Sequence, residues 1–253
     1  MNRYISGFIS AISFFTIIPA GGNHEITEYT MDYFTAIGTV LGIISGLAYY
    51  LAAPYSHLIA SASALSILIV LYGFNHFDSV LDFGDSLMVR GYEKKQQVIK
   101  DKYTGSGGVG MFFILYLLSF SFLAFFNPVE GLLIIVSGEI VSKYITLLSM
   151  KNAHSFNNGI GSLFMEKANK SKNAVYLNAV FFIIPVLFNI YNIVIIIIVL
   201  ILMLLIRNWI SRVYHGINGD IIGSIGEISR LMFYILSFIF IIIGLNFISF
   251  LAL

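Results

Sequence analysis

Three aspartates in one short stretch of this chain have the residue type and spacing that suit metal binding. Asp78, Asp82 and Asp85 stand at positions i, i+4 and i+7, so a helix places all three on one face. Carboxylates on one face repel one another unless a cation lies between them, and a divalent metal that also holds phosphate oxygens is the usual occupant. The stretch therefore predicts metal-assisted chemistry on a phosphorylated substrate. A solvated helix face of mixed charge is the alternative.

The residues around this cluster extend the hypothesis. His76 stands two residues before Asp78 and is a candidate for accepting a hydroxyl proton, as is a spare carboxylate. Asp101 follows, and after it comes a glycine run at 105, 107, 108 and 110. Glycine backbone N–H groups at a helix start can approach a phosphate closely. Close helix packing explains the same glycines equally well, so both interpretations stay open.

Two further places carry charge in otherwise apolar surroundings. Asp220 and Glu227 are seven residues apart, or two helical turns, and can join the aspartates around a metal; an ordinary turn and helix start is the alternative. Glu139 and Lys143 stand at i and i+4 inside an apolar segment, where charges face a cavity or pair with one another. The remaining histidines are interpreted as loop or interface residues: His24, His57, His154 and His215.

The composition is that of a membrane protein. Of 253 residues, 58% are hydrophobic and 11% charged, against roughly 25% charged in ordinary soluble domains. The mean hydropathy is +0.89. A net charge of +1 provides no basic surface for nucleic acid, and zero cysteines exclude disulfides and thiolate metal sites. We expect an all-α polytopic protein in a lipid bilayer, with no nucleic-acid partner.

Uncharged stretches and their prolines set the predicted helices. Residues 33–77 lack charge and are too long for one span, and Pro54 divides them. We predict about seven transmembrane helices in a single integral membrane domain, 1–253, at 32–52, 55–75, 108–127, 129–150, two arms of a hairpin within 173–206, and 231–253. The short segment 4–20 is predicted to be a re-entrant or interfacial helix.

Lys and Arg counts predict the orientation. The segments 78–107, 151–172 and 207–230 carry five, four and three Lys or Arg residues, whereas the turns 127–130 and 188–192 carry none. Basic loops stay on the cytoplasmic side. We therefore expect the three basic segments in the cytoplasm and the C-terminus outside.

Two motifs resemble those of the cobalamin (5′-phosphate) synthase family, also called adenosylcobinamide-GDP ribazoletransferases. The first is His76-Phe77-Asp78 with Asp82 and Asp85, followed by Asp101, Gly105 and Gly108; the second is Gly219, Asp220, Gly223, Ser224 and Glu227. Pro19, residues 34–42 and residues 159–161 fit as well, so the resemblance spans nearly the whole chain. The chain departs from the family pattern at four positions: Ile17, Ser79, Lys102 and Lys143.

The resemblance implies a Mg²⁺-dependent transfer at the cytoplasmic face of the cell membrane. A hydroxyl of α-ribazole or its 5′-phosphate attacks adenosylcobinamide-GDP, GMP leaves, and adenosylcobalamin or its 5′-phosphate forms. The implied metal ligands are Asp78, Asp82, Asp85, Asp220 and Glu227. The implied catalytic residues are His76, Asp82 and Asp101, and the implied phosphate contacts are Gly105, Gly108 and Lys143. The resemblance leaves the oligomeric state open.

Other membrane proteins also use clustered carboxylates. A CDP-alcohol phosphotransferase needs an Asp-Gly-x-x-Ala-Arg run that this chain lacks, and the paired motifs of an aspartate-rich prenyltransferase fit poorly. An ion-coupled transporter would place its acids at the membrane midplane, whereas these acids concentrate at one predicted membrane edge. The transferase is therefore the favoured hypothesis.

Overall fold

The protein is a bundle of α-helices. The computed structural model describes residues 3–21 and 25–245, and within these ranges the β-type pairing is one isolated bridge, between Ser155 and Ile217. The α-helices of this part of the chain are α1 (Arg3–Phe15), α2 (Phe34–Ala52), α3 (His57–Leu71), α4 (Asn75–Leu87), α5 (Tyr92–Val98), α6 (Ser106–Leu123), α7 (Pro128–Met150), α8 (Ile160–Lys170), α9 (Ala174–Ala179), α10 (Ile183–Phe188), α11 (Asn192–Val213) and α12 (Gly219–Ile242). Two short 3-10 helices, Glu28–Tyr33 and Val180–Phe182, complete them.

The predicted membrane architecture is confirmed. Among the described residues, five helices are long and apolar enough to cross a membrane, and seven spans result if each of two bent helix pairs counts as one. The five correspond to α2 with the preceding 3-10 turn, α6, α7, α11 and α12. Helix α1 has 13 residues, about 20 Å, which is too short for a hydrocarbon core of about 30 Å. Its interfacial or re-entrant position stays a prediction.

Helix α7 forms the centre of the bundle. The chain starts it with a capping box, in which the Asn127 side chain accepts from Glu130 N at 2.9 Å and Pro128 occupies the first turn. Helices α2 and α12 both pack against it. A Cβ atom at Gly42 would stand 2.9 Å from the Val136 Cα atom, so glycine is what permits α2 to approach α7 this closely.

Several predicted boundaries are right because proline and asparagine stop helices. The breaks at Pro54, at Asn127-Pro128 and near residues 189–192 all separate helices in the structure. Residues 174–188, the first arm of the predicted hairpin, are instead a succession of short helices, and Pro185 lies inside the last of them.

Two predictions about polar segments are wrong. The segment 78–107 contains most of α4 and all of α5 rather than a loop, and the last span begins at Gly219 instead of residue 231. Asp220 and Glu227 therefore lie on the first turns of a long helix, in which Arg230 compensates the buried charge of Glu227. His24, residues 246–253 and the predicted external C-terminus lie outside the described residues.

A sharp bend sets the direction of α4. Helices α3 and α4 meet at 93°. Gly73 and Phe74 have φ values of +60° and +63°, so two successive left-handed residues redirect the chain. Helix α4 is not one of the five spanning helices; it packs on α6 and α12.

Candidate active site

A cavity lies where α4 meets the N-terminal ends of α8 and α12. Its volume is about 550 Å³. His76, Asp78 and Asp82 border it from α4, and Asp220 borders it from α12. Chain segments far apart in sequence meet here because Ile217 N donates to His154 O at 2.9 Å, which ties the start of α12 to the segment before α8. Asp220 thus borders the same cavity as Asp78 and Asp82, whereas Asp85 and Glu227 do not border it, and the shared metal site stays a prediction.

The aspartates that share this cavity repel one another. Burial, followed by the charges of Asp220, Asp78 and Asp85, raises the pKa of Asp82 to about 7. Asp220 is oriented by the Asn218 side-chain amide, which donates to its Oδ2 at 2.7 Å. Asn218 also caps α12 by accepting from Ile221 N at 3.1 Å. The cavity thus carries excess negative charge on positioned oxygens.

Asp85, although on the same helix, has a structural partner. Its two carboxylate oxygens accept from Gly105 N at 2.6 Å and Gly108 N at 2.8 Å, so it caps the N-terminus of α6 from outside that helix. A Cβ atom at Gly108 would lie 2.4 Å from Leu81 O, so this glycine is required for close packing of α4 on α6. The packing interpretation of the glycine run thus has direct support, and the phosphate contacts of Gly105 and Gly108 stay predictions.

A buried cluster of charges lies beneath the cavity. Arg230 of α12 donates from Nη1 to Glu139 Oε1 at 2.7 Å and from Nη2 to Glu227 Oε2. Tyr72 donates to the other Glu139 oxygen, and Tyr116 donates to Glu227 Oε2 at 3.0 Å. We call these residues, together with Lys143 and His76, the buried ion cluster. Its formal charges balance because two carboxylates face two cations.

His76 joins the cavity to this cluster. Lys143 Nζ lies 2.9 Å from His76 Nε2, and Glu227 Oε1 lies 3.4 Å from Nδ1. An ammonium group has donors but no acceptor, so Nε2 is the acceptor and the ring proton sits on Nδ1, facing Glu227. Burial and the neighbouring Lys143 and Arg230 lower the pKa of His76, which keeps the imidazole neutral. Both ring nitrogens therefore face protein groups.

The structure gathers some of the predicted site residues and separates others. His76, Asp78, Asp82 and Asp220 border the cavity. The others lie elsewhere. Asp85 caps α6, and Glu227 and Lys143 belong to the buried ion cluster. Asp101 is exposed in the segment before α6, and its Oδ1 atom accepts a hydrogen bond from Tyr103 N at 3.4 Å. Within the described residues, no three Asp, Glu or His side chains converge into a ready-made metal site.

Comparison with known proteins identifies the family. The family model of cobalamin-5-phosphate synthase matches residues 7–238. The chain belongs to this family. An adenosylcobinamide-GDP ribazoletransferase of Picrophilus torridus is 38% identical over 231 residues, 90% of this chain and 95% of that relative. One from Thermoplasma volcanium is 34% identical over 233 residues, 90% and 88% of the two chains. No solved structure matches the chain.

Membership of the cobalamin-5-phosphate synthase family confirms the resemblance seen in the two motifs. It favours the transferase over a CDP-alcohol phosphotransferase, a prenyltransferase or a transporter, none of which is the family of this chain. The boundaries of the match include the cavity and the buried ion cluster, both of which lie between residues 7 and 238.

Sequence reasoning missed the residues that hold the buried ion cluster together. It left open whether Glu139 and Lys143 face a cavity or pair with one another, whereas Glu139 contacts Arg230 and Tyr72, and Lys143 contacts His76. Arg230 carries a usable signal, because it is an isolated charge three residues after Glu227, on the same helix face. The tyrosines carry none, since aromatic residues are frequent throughout the chain.

Proposed function

We propose that the cavity transfers the cobinamide-side phosphoryl group of adenosylcobinamide-GDP to a hydroxyl of α-ribazole or its 5′-phosphate. The hydroxyl oxygen bonds to phosphorus, the bond from phosphorus to the bridging oxygen breaks, and GMP leaves with that oxygen. The hydroxyl proton passes to a base, and adenosylcobalamin or its 5′-phosphate is the product. The observation that carries the proposal is the meeting of His76, Asp78, Asp82 and Asp220 at one cavity in a member of this family.

The cavity has the donor set that Mg²⁺ prefers. Oxygen ligands suit this ion, which commonly binds through one or two carboxylates and completes its shell with substrate phosphates and water. A preassembled set of three ligands is therefore not required. In this proposal Asp78 and Asp220 hold the ion, and Asn218 fixes the orientation of Asp220. When bound, Mg²⁺ neutralises charge on the pyrophosphate oxygens and on the departing GMP.

Asp82 is the proposed proton acceptor. Its carboxylate borders the cavity, and in the absence of a metal ion burial and the neighbouring aspartates raise its pKa to about 7, which favours uptake of a proton. His76 borders the same cavity but turns its ring nitrogens to Lys143 and Glu227. We therefore assign His76 a positioning role at the cavity wall. This assignment replaces the alternative of an imidazole base.

We place the reaction at the cytoplasmic face of the cell membrane. The carboxylates of the cavity come from α4 and the first turn of α12, and the start of α8 borders it as well. These elements belong to the three segments that are richest in Lys and Arg, and such segments stay in the cytoplasm.

Release of GMP by the purified protein tests the proposal. With adenosylcobinamide-GDP, α-ribazole and Mg²⁺, the native protein should release one GMP for each cobalamin formed. Asp78→Asn, Asp82→Asn and Asp220→Asn should each lose at least about 100-fold in kcat, the usual contribution of a general base or a metal-held charge. Glu93→Gln, an exposed carboxylate on α5, is the matched control and should keep full activity. Near-normal turnover in two of the three variants would contradict the assignment.

A further inference from the structure

One wall of the cavity is aromatic and apolar. Phe14 and Phe15, at the end of α1, meet Phe164 of α8 with ring centroids 4.5 Å and 5.5 Å apart. Ile160 and Met150 border the cavity as well. These five hydrophobic side chains border a cavity whose polar side carries three carboxylates. The proposed phosphoryl transfer uses the carboxylates and leaves this wall without a role.

The aromatic wall is held in place before any substrate binds. Ile17 N donates to Leu71 O at 2.9 Å, which ties the chain after α1 to the end of α3. The Phe15 ring also packs on Phe34, at 4.6 Å. Phe164 is 3% exposed, whereas Phe14 is only half-buried and leaves ring surface for a partner. A rigid aromatic surface of this kind suits a planar ring, because stacking loses little conformational freedom.

The chemistry of the wall distinguishes between the aromatic groups of the two substrates. Guanine presents a carbonyl and N–H groups along its edge, and burying these without hydrogen bonds is costly. The dimethylbenzimidazole of α-ribazole presents methyl groups and a single ring-nitrogen acceptor. Phenylalanine, isoleucine and methionine side chains offer no strong donor or acceptor. The wall therefore matches the benzimidazole better than the guanine.

We propose that the wall of Phe14, Phe15 and Phe164 is the subsite for the base of the nucleoside acceptor, and that it selects a benzimidazole-type base over a purine. This inference rests on the proposed transferase function. It gives α1 a role in acceptor choice, because this helix supplies two of the three rings. The acceptor base then stacks on the apolar wall while its ribose extends toward the carboxylates.

Steady-state kinetics with two acceptors test the subsite. Phe14→Ala should raise KM for α-ribazole about tenfold, a usual effect of removing one stacking ring, and leave KM for adenosylcobinamide-GDP unchanged. The preference for α-ribazole over an α-linked adenine riboside, as a ratio of kcat/KM values, should fall by a similar factor. Phe14→Leu, which keeps apolar bulk without a ring, should give an intermediate preference. Phe8→Ala is the matched control on the same helix, since Phe8 packs on Tyr33 away from the cavity.

The outcomes separate the two proposals. A native protein that releases no GMP contradicts the transferase function itself. An active native protein whose α-ribazole KM and base preference are unchanged in Phe14→Ala contradicts the subsite alone. A rise in KM for adenosylcobinamide-GDP instead would assign the wall to the donor, which also overturns the subsite. Should Phe14→Ala fail to fold, the base preference of Phe14→Leu decides the question in the same way.

Discussion

Loss of the Arg230 guanidinium should destabilise the protein more than loss of the guanidinium together with one of its carboxylate partners. Arg230 is 2% exposed and bonds to Glu139 and Glu227, which are 0% and 4% exposed. Arg230→Met keeps an apolar chain in the same space but leaves two buried carboxylates against Lys143 alone. The double change Arg230→Met with Glu139→Gln restores one carboxylate for one cation.

The buried geometry sets the expected size of the effect. Breaking a buried ion pair by removing one partner costs about 3–5 kcal/mol, whereas removing the pair as a unit is often nearly neutral. For a chain of this length, a loss of that size lowers Tm by about 6–20 °C. Glutamine at position 139 can still accept the Tyr72 hydroxyl, so the double variant should recover about half of the loss. The double variant should be about 2 kcal/mol more stable than Arg230→Met, and the coupling between the two changes is larger than this by the cost of Glu139→Gln alone.

Thermal unfolding of the detergent-solubilised protein measures this coupling. The native protein, both single variants and the double variant form a double-mutant cycle. Lys170→Met is the control, because Lys170 pairs with Glu166 at the surface and should leave Tm unchanged. If the two losses simply add, the charge-balance reasoning is wrong. A double variant less stable than Arg230→Met would contradict it even more directly.

Two further predictions concern the metal and the orientation. Because the metal-free Asp82 carboxyl is protonated below its pKa of about 7, binding of Mn²⁺, a spectroscopic substitute for Mg²⁺, should weaken as the pH falls from 8 to 6. Electron paramagnetic resonance can follow Mn²⁺ binding, and Asp82→Asn should make the affinity nearly independent of pH. If the affinity of the native protein did not change between pH 8 and pH 6, protonation of Asp82 would not be linked to metal binding. For the orientation, the chain has no cysteine, so an impermeant thiol reagent should label Ile190→Cys from outside intact cells and Asn158→Cys only after permeabilisation. The reverse pattern would invert the topology.

Hydropathy and helix-stopping residues were enough to predict most of the bundle. Pro54 and Asn127-Pro128 end helices through backbone geometry that is local in sequence, so these breaks could be placed without a structure. The start of α12 could not be placed in this way. Its first turns contain Asp220, Glu227 and Arg230, which resemble a polar loop until their partners are known. Glu139 lies 91 positions from Arg230, and no local pattern reports that pairing.

In the candidate site, too, the sequence spacing predicts where residues lie on a helix but does not predict their contacts in the fold. The spacing of Asp78, Asp82 and Asp85 correctly places them along one helix, but it does not determine what neutralises each carboxylate. Asp85 reaches the free amides of α6, which supply the positive end of a helix dipole. Glu227, two turns beyond Asp220, reaches Arg230. Asp78, Asp82 and Asp220 remain at the cavity, where burial and the neighbouring carboxylates raise the pKa of Asp82. The protein itself compensates the charge of these three carboxylates least. We therefore place the metal on Asp78 and Asp220 and the proton transfer on Asp82.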